Sequence, residues 1–386
     1  MDKQTAESES QPIVYIAPKP KKSWLKIVLL RLLFLPILLW DLVKYIGGKL
    51  FGKSFVQKFF YAQGSISACS LPPTRNVKTR LIRVETHDGA TLDTLEINPY
   101  HEKSNIADQK YIIFFGGNDK SFEGSYASLE KDAERLSTCV IGFNYRNVGS
   151  STKQATSTHD FVIDGIAQVQ RLLDIGVQPE HIVLKGYSYG AAFATLVASH
   201  FHKNNQNINL FHDRSFSSLS KQGMAKLFPE DQKENQTTVG KIAIAILKPV
   251  ARFILTVVGI ELNVISAYLT LHDPHKEYMV VKSPKNRKPE SEADATQTGA
   301  HTPPRDDSNI PHKASLHFAL KHHRNKRKKF LNSHKKDAFK HQCHSRKMST
   351  ERYDENGHFT DHSNLKNRHN KTANEFFDEF FHRCTN

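Results

Sequence analysis

The string Lys185-Gly186-Tyr187-Ser188-Tyr189-Gly190-Ala191-Ala192 sets a serine between two glycines in the pattern Gly-x-Ser-x-Gly. A serine hydroxyl is a weak nucleophile unless a neighbouring base and a suitable geometry activate it. In this pattern the serine sits on a strained turn between a strand and a helix, and the flanking glycines relieve the clash that such a turn creates. The setting fits: an apolar run, Ile182 to Leu184, precedes the serine, and the small-residue stretch Ala191 to Ser199 follows it. The backbone N–H of Tyr189, at the mouth of that helix, is then placed to stabilise an oxyanion. A second donor is expected from the loop Phe115-Gly116-Gly117-Asn118, whose glycines let the backbone approach a substrate closely. The N–H of Gly117 or Asn118 is the candidate. Glycines also make plain tight turns, so the pattern weighs more for its setting than for its letters.

Activation requires an imidazole to take the hydroxyl proton and a carboxylate to orient the imidazole. With 21 histidines in the chain, a lone histidine carries little weight. His358 stands out in Asn356-Gly357-His358-Phe359, because the preceding glycine frees the backbone to bring the ring to the serine. Its Nδ1 would face the acid and its Nε2 the Ser188 hydroxyl. His344 and His362 are the nearest rivals. The carboxylates available after the serine include Asp213, Asp273, Asp306 and Asp307. This chemistry needs no metal or cofactor. The cysteines Cys69, Cys139, Cys343 and Cys384 match neither a zinc site nor a disulfide framework, which suits a reducing compartment.

The elements that must position these groups can be read from hydrophobic period. Thr79 to Thr86 alternates, His87-Asp88-Gly89-Ala90 turns, and Thr91 to Ile97 alternates again, which predicts a β-hairpin. Short continuous apolar runs follow at Tyr111 to Phe115, Cys139 to Phe143 and Ile182 to Leu184, separated by amphipathic helical patterns. Continuous apolar strands between such helices mean a mostly parallel sheet covered on both faces. Ile208 to Phe211 and Glu277 to Val281 are further strand candidates. No strand pattern is legible just before His358. Residues 221–272 read as an insertion that caps the site, 282–311 as a polar disordered loop, and 321–347 as a basic segment, with a closing helix around Phe376 to Phe381.

With the elbow around Ser188, the string Phe143-Asn144-Tyr145-Arg146-Asn147-Val148-Gly149-Ser150-Ser151 resembles the α/β-hydrolases that share an Asn/Asp-Tyr-Arg-x-x-Gly-x-Ser signature. It is most similar to the SidB/Sdb group of bacterial type IV secreted effectors and the chlamydial 43 kDa CHLPS proteins. The resemblance runs from about Lys78 to Leu219, and more loosely through His358. It implies an α/β-hydrolase fold, a twisted sheet with helices on both faces, and a lipase-like or esterase-like activity. It also implies delivery into a host cell through a type IV secretion system. Asp306-Asp307-Ser308-Asn309-Ile310-Pro311 is similar to the Asp-x-x-Val/Ile-Pro string that follows the acid in many members, which selects Asp307. The departure is the long polar spacer before it; Asp213 is the alternative.

Charge and the first sixty residues suggest a partner. There are 54 basic and 39 acidic residues, a net charge of +15. Such a surplus favours contact with an anionic partner, or simply a solubilising surface. Residues 1–23 read as a flexible lead without a signal peptide. Residues 24–60 are apolar but broken by Lys26, Arg31, Asp41 and Lys44, and by Pro36, so a helix lying in a membrane interface is expected rather than a span. A helix docked on the core is the competing reading. The basic run Lys321 to Lys347 is poor in aromatic residues, so nucleic-acid binding is not expected. The sequence therefore points to an esterase or lipase acting at an anionic membrane, with two rivals from other classes: a catalytically inactive scaffold of the same fold, and a nucleic-acid-binding protein acting through the basic segment 321–347.

Overall fold

The computed structural model describes residues 13–19, 35–52, 56, 77–99, 105–118, 120–227, 238–282, 307, 309–326, 333–350 and 358–385. Its centre is a ten-stranded sheet. In chain order the strands are β1 (Ile13–Ile16), β2 (Val77–Glu85), β3 (Thr91–Pro99), β4 (Tyr111–Phe115), β5 (Cys139–Phe143), β6 (Ile182–Tyr187), β7 (Asn209–Asp213), β8 (Lys276–Val281), β9 (Lys347–Thr350) and β10 (Leu365–Lys366). Across the sheet they run β1-β2-β3-β5-β4-β6-β7-β8-β9-β10. The hairpin β2–β3 is antiparallel, and β3 pairs antiparallel with β5. From β5 through β4, β6, β7 and β8 to β9 every pair is parallel.

The central strands are buried on both faces because both faces carry helices. The runs YIIFF, CVIGF and IVLKGY have no polar alternation to offer water. On one side α3 (Thr158–Asp174) and α4 (Tyr189–His202) pack against each other over the sheet; α1 (Leu35–Gly47) precedes them in the chain. Their cluster includes Phe115, Phe161, Phe193 and Val197. On the other side α2 (Phe122–Leu136) and the C-terminal α10 (Ala373–Thr385) share a second cluster with Leu129, Phe211 and Phe377. Phe376, Phe377, Phe380 and Phe381 fall at helical spacing, and Phe211 meets Phe377 with ring centroids 4.9 Å apart. Lys185 is the exception in this apolar layer. Its ammonium is paired with the buried Asp132 and lies 4.2 Å from the Phe377 ring centroid.

Between β7 and β8 come α5 (Leu219–Leu227), α6 (Thr238–Val257) and α7 (Val264–Thr270). Between β8 and β9 come α8 (Leu316–Lys326) and α9 (Ser333–Ser345).

Two expectations change. The supposed flexible lead contains β1, which pairs parallel with β2 in the register Ile13 to Ile82 through Ile16 to Glu85. Four β-branched and aromatic residues are enough there, since β2 otherwise offers a bare edge. A strand does precede His358. It is β9, inside the stretch read as basic: only Met348 of its four residues is buried, so its sequence shows no alternation. Of the polar loop 282–311, residues 283–306 and 308 lie outside the described residues.

Candidate active site

Ser188 joins β6 to α4 and has φ 54° and ψ −123°. A non-glycine residue held there costs on the order of 1–3 kcal/mol and persists only where its surroundings impose it. They do so here. The Ser188 N–H donates to the Asp213 carbonyl at 3.0 Å, and its carbonyl accepts from the Ala191 N–H at 3.1 Å. Gly190 lies so close to the end of β4 that a Cβ would come within 2.1 Å of the Phe115 carbonyl oxygen. Only glycine lets α4 start against that strand. The Ser188 hydroxyl therefore projects above the C-terminal edge of the sheet.

His358 reaches it from the chain that follows β9. Its Nε2 lies 3.0 Å from Ser188 Oγ, and its Nδ1 lies 2.9 Å from Asp307 Oδ2. Asp307 is fixed in turn: its Oδ1 accepts the backbone N–H groups of Asn309 at 3.0 Å and Ile310 at 2.8 Å. One carboxylate oxygen thus anchors the loop and the other faces the imidazole. All three side chains are buried. This Ser–His–Asp line can move a proton from hydroxyl to imidazole while the carboxylate holds the Nδ1–H tautomer.

The oxyanion candidates surround the same hydroxyl. A Cβ on Gly117 would sit 3.0 Å from the Tyr187 ring and 3.4 Å from Ser188 Cβ, so the backbone passes directly over the serine. Tyr189 is the first residue of α4, at the end of the helix that carries the positive pole of its dipole. Gly117, Asn118 and Tyr189 all line the cavity above Ser188, a space of about 130 Å³ closed by Gln222 and Ile310 and opening past Lys120, Lys226 and Phe359. Phe359 is 63% exposed at that opening.

The alternative assignments separate cleanly. Asp213 does not meet His358. Its carboxylate takes Arg214 Nε at 2.8 Å and Nη2 at 3.0 Å, and His362 Nε2 at 2.7 Å. Burial opposes the Asp213 charge, yet the Arg214 guanidinium and His362 hold its carboxyl well below the usual carboxylate range. Burial also pushes the His362 imidazole down against the pull of Asp213. Asp273 is an exposed partner of Lys276 at 3.6 Å, and His344 lies in the last turn of α9. Asp306 lies outside the described residues. No group of three or more His, Cys, Asp or Glu among the described residues is arranged to hold a metal ion.

Arg214 was not singled out from the sequence, and it does more than neutralise Asp213. Its Nη1 donates to the carbonyls of His358 at 3.0 Å and Thr360 at 2.8 Å. The Tyr187 hydroxyl donates to the same His358 carbonyl, and the guanidinium stacks 4.8 Å from the Tyr187 ring centroid. The backbone that carries the imidazole is tied to the strand end that carries the serine. Gln222 similarly donates to the Asn309 carbonyl and braces the Asp307 loop. The only sequence signal for either was position, just past β7 and in the first helix after it.

The Asn-Tyr-Arg string has a structural role at this distance from Ser188. Asn144 Oδ1 accepts the Phe122 N–H at 3.0 Å, and its amide donates to Glu123 at 3.1 Å, which fixes the start of α2 behind the glycine loop. The buried Arg146 bridges Asp164 on α3 and Asp88 in the hairpin turn, with contacts of 2.6 and 2.8 Å.

An antiparallel hairpin feeding six parallel strands, a serine elbow after β6, a carboxylate after β8 and a histidine after β9 follow the chain order Ser, Asp, His on a doubly covered sheet. The fold is that of an α/β-hydrolase. No family model matches the chain. Over 134 residues it is 28% identical to a provisionally assigned alpha/beta hydrolase of Acanthamoeba polyphaga mimivirus, covering 34% of this chain. The chain spans about half, 49%, of that relative's length. Among solved structures, an esterase of Pyrococcus furiosus is 18% identical with a TM-score of 0.38, covering 57% of this chain and 78% of the esterase. An alpha-beta hydrolase of Vibrio vulnificus is 14% identical with a TM-score of 0.40, covering 71% and 81%.

Proposed function

We propose that the chain is a serine hydrolase that cleaves carboxylic esters through an acyl-enzyme. The observation that carries this reading is the unbroken line from Ser188 Oγ through His358 to Asp307, at 3.0 and 2.9 Å, on a backbone strained at the serine. Ser188 Oγ attacks the ester carbonyl carbon while its proton passes to His358 Nε2. The carbonyl oxygen becomes an oxyanion, stabilised by the backbone N–H groups of Tyr189 and of Gly117 or Asn118. Collapse of the tetrahedral species breaks the bond to the leaving alkoxide, which takes the proton from His358. Water then repeats the sequence: His358 removes its proton, the hydroxide attacks the acyl carbon, and Ser188 leaves reprotonated. The Asp307 carboxylate orients the imidazole through Nδ1 and stabilises the imidazolium.

The cavity supports an acyl-lipid as the ester. Ile310 and Phe359 give it an apolar side, and the two lysines at its opening suit a substrate with an anionic head group. In this reading α5 and α6 act as the cap. Delivery into a host cell through a type IV secretion system, implied by the resemblance, is a separate proposal tested by a translocation reporter fused to the chain.

The test is hydrolysis of p-nitrophenyl esters of graded chain length by the wild type and by Ser188→Ala and His358→Ala. Activity lost in both variants, with folding intact, supports the reading. Equal activity in all three refutes the roles of Ser188 and His358, and none in a folded wild type leaves a scaffold with a hydrolase fold.

A further inference from the structure

Two helices far apart in sequence come together outside the sheet and leave their apolar faces uncovered. Trp40 of α1 meets Phe253 of α6 with ring centroids 5.5 Å apart. Seven residues on, Gly47 packs onto Val257 so tightly that a Cβ would lie 2.5 Å from Val257 Cγ1. The helices therefore run side by side in the same sense. On α1, Leu39, Leu42 and Ile46 are exposed at the i, i+3, i+7 spacing of one helical stripe. On α6, Ile246, Val250 and Phe253 repeat it at i, i+4, i+7, with Ile246 60% and Phe253 55% exposed. Scattered exposed apolar residues are ordinary, but two such stripes on helices that pack together gather apolar surface into one region, which marks an interaction surface.

Charge selects the occupant. Among the described residues Lys44, Lys49, Lys248 and Arg252 border the stripes, against Asp41, paired with Lys44 at 3.2 Å, and Glu261, which faces Arg252 and Lys221. Lys44 Nζ lies 5.9 Å from the Trp40 ring centroid and Lys49 Nζ 5.8 Å from that of Tyr45. Cations laid over interfacial aromatic rings, with alkyl stems along an apolar face, suit the boundary between acyl chains and head groups. A twofold contact between copies would set these cations against their own kind. No helix among the described residues is long and apolar enough to cross a membrane, so the pair lies in the interface rather than spanning it.

We infer that α1 and α6 together form a docking surface for an anionic lipid bilayer. The site follows directly. Helix α5 packs on α6 and supplies Gln222 and Lys226 to the cavity above Ser188, so the opening stands one helix away from the bilayer. This placement rests on the hydrolase reading; the docking itself does not.

The experiment uses the full chain carrying Ser188→Ala, so that no turnover intrudes. Flotation is measured with vesicles of phosphatidylcholine plus phosphatidylglycerol and with phosphatidylcholine alone. The chain has two tryptophans, so Trp24→Phe isolates Trp40, whose fluorescence is read with brominated lipids. Expected are binding to anionic vesicles, quenching of Trp40, loss of about tenfold in affinity for Phe253→Ser or Ile246→Asp, and loss of anionic preference for Lys248→Glu with Arg252→Glu. The inference is overturned by no vesicle binding, by unquenched Trp40, or by a dimer that Phe253→Ser dissociates while vesicles stay unbound. Quenching of Trp40 needs no change in the patch, so a misfolded variant leaves the test standing. Vesicle binding by a folded wild type that hydrolyses no ester would sink the hydrolase reading and leave the docking surface intact.

Discussion

Replacing Arg214 by Met should damage both folding and turnover, in amounts that the geometry sets. The guanidinium makes two bonds to the buried Asp213 carboxylate and two to the carbonyls of His358 and Thr360. Methionine keeps an unbranched apolar stem, shorter than that of arginine, and none of the donors. Removing one partner of a buried ion pair costs about 3–5 kcal/mol, because the remaining charge is stranded. His362 still faces Asp213 and offsets part of that cost. The upper half of the range would consume much of a typical 5–15 kcal/mol stability. Asp213→Asn in the same chain removes the stranded charge, so the double variant should recover about 1–3 kcal/mol over Arg214→Met alone. Arg214 does not touch the reacting atoms; it positions the loop under His358. A base displaced by a fraction of an ångström should lower kcat by about 10- to 100-fold with KM little changed. Urea unfolding gives the first quantity and steady-state hydrolysis of a soluble ester the second. If Arg214→Met loses less than about 1 kcal/mol and keeps its kcat, the brace is not what holds His358 in place.

Asp307→Asn should keep the fold and lower kcat by about four orders of magnitude, since the amide no longer enforces the Nδ1–H tautomer; Asp213→Asn should not reproduce that loss, which kinetics on both variants will check. Gly190→Ala should fail to accumulate as folded protein, because its methyl group would strike the Phe115 carbonyl, and soluble yield with circular dichroism reads the outcome. His212 gives a pH signature. Burial pushes its imidazole down to about 4, below an unfolded value near 6.5, so the unfolded chain binds the proton first. Its contribution is present above pH 6.5 and is lost as the pH falls toward 4, about 3 kcal/mol in all. In His212→Asn the difference in urea stability between pH 7 and pH 4 should shrink by roughly that amount.

Ser188 and its glycines were legible because an elbow is local: the residues that force the turn lie within two positions of the one they expose. The hairpin and the three central strands were legible because a doubly covered parallel strand must be apolar throughout. His358 needed its neighbouring glycine to stand out, and Asp307 needed the resemblance. Neither local pattern is specific by itself, and 170 residues separate His358 from Ser188. The partner of Asp213 was hidden by adjacency. Asp213-Arg214 reads as a charged turn, and only the fold brings His358, Thr360 and His362 onto it. Strand β9 was hidden for a different reason, because a four-residue strand beside β8 buries one side chain and leaves the rest to a basic surface. The contact of α1 with α6 joins residues about two hundred positions apart, and each stripe alone is equally that of a helix facing the core.

The central claim is that Ser188 is an activated nucleophile. Intact-mass analysis and peptide mapping after treatment with a fluorophosphonate test it most directly, in the wild type, in Ser188→Ala and in His358→Ala. The account predicts one adduct, mapped to Ser188, absent in Ser188→Ala and slowed by orders of magnitude in His358→Ala. A folded wild type that takes up no label near neutral pH, or labels equally without His358, would contradict it.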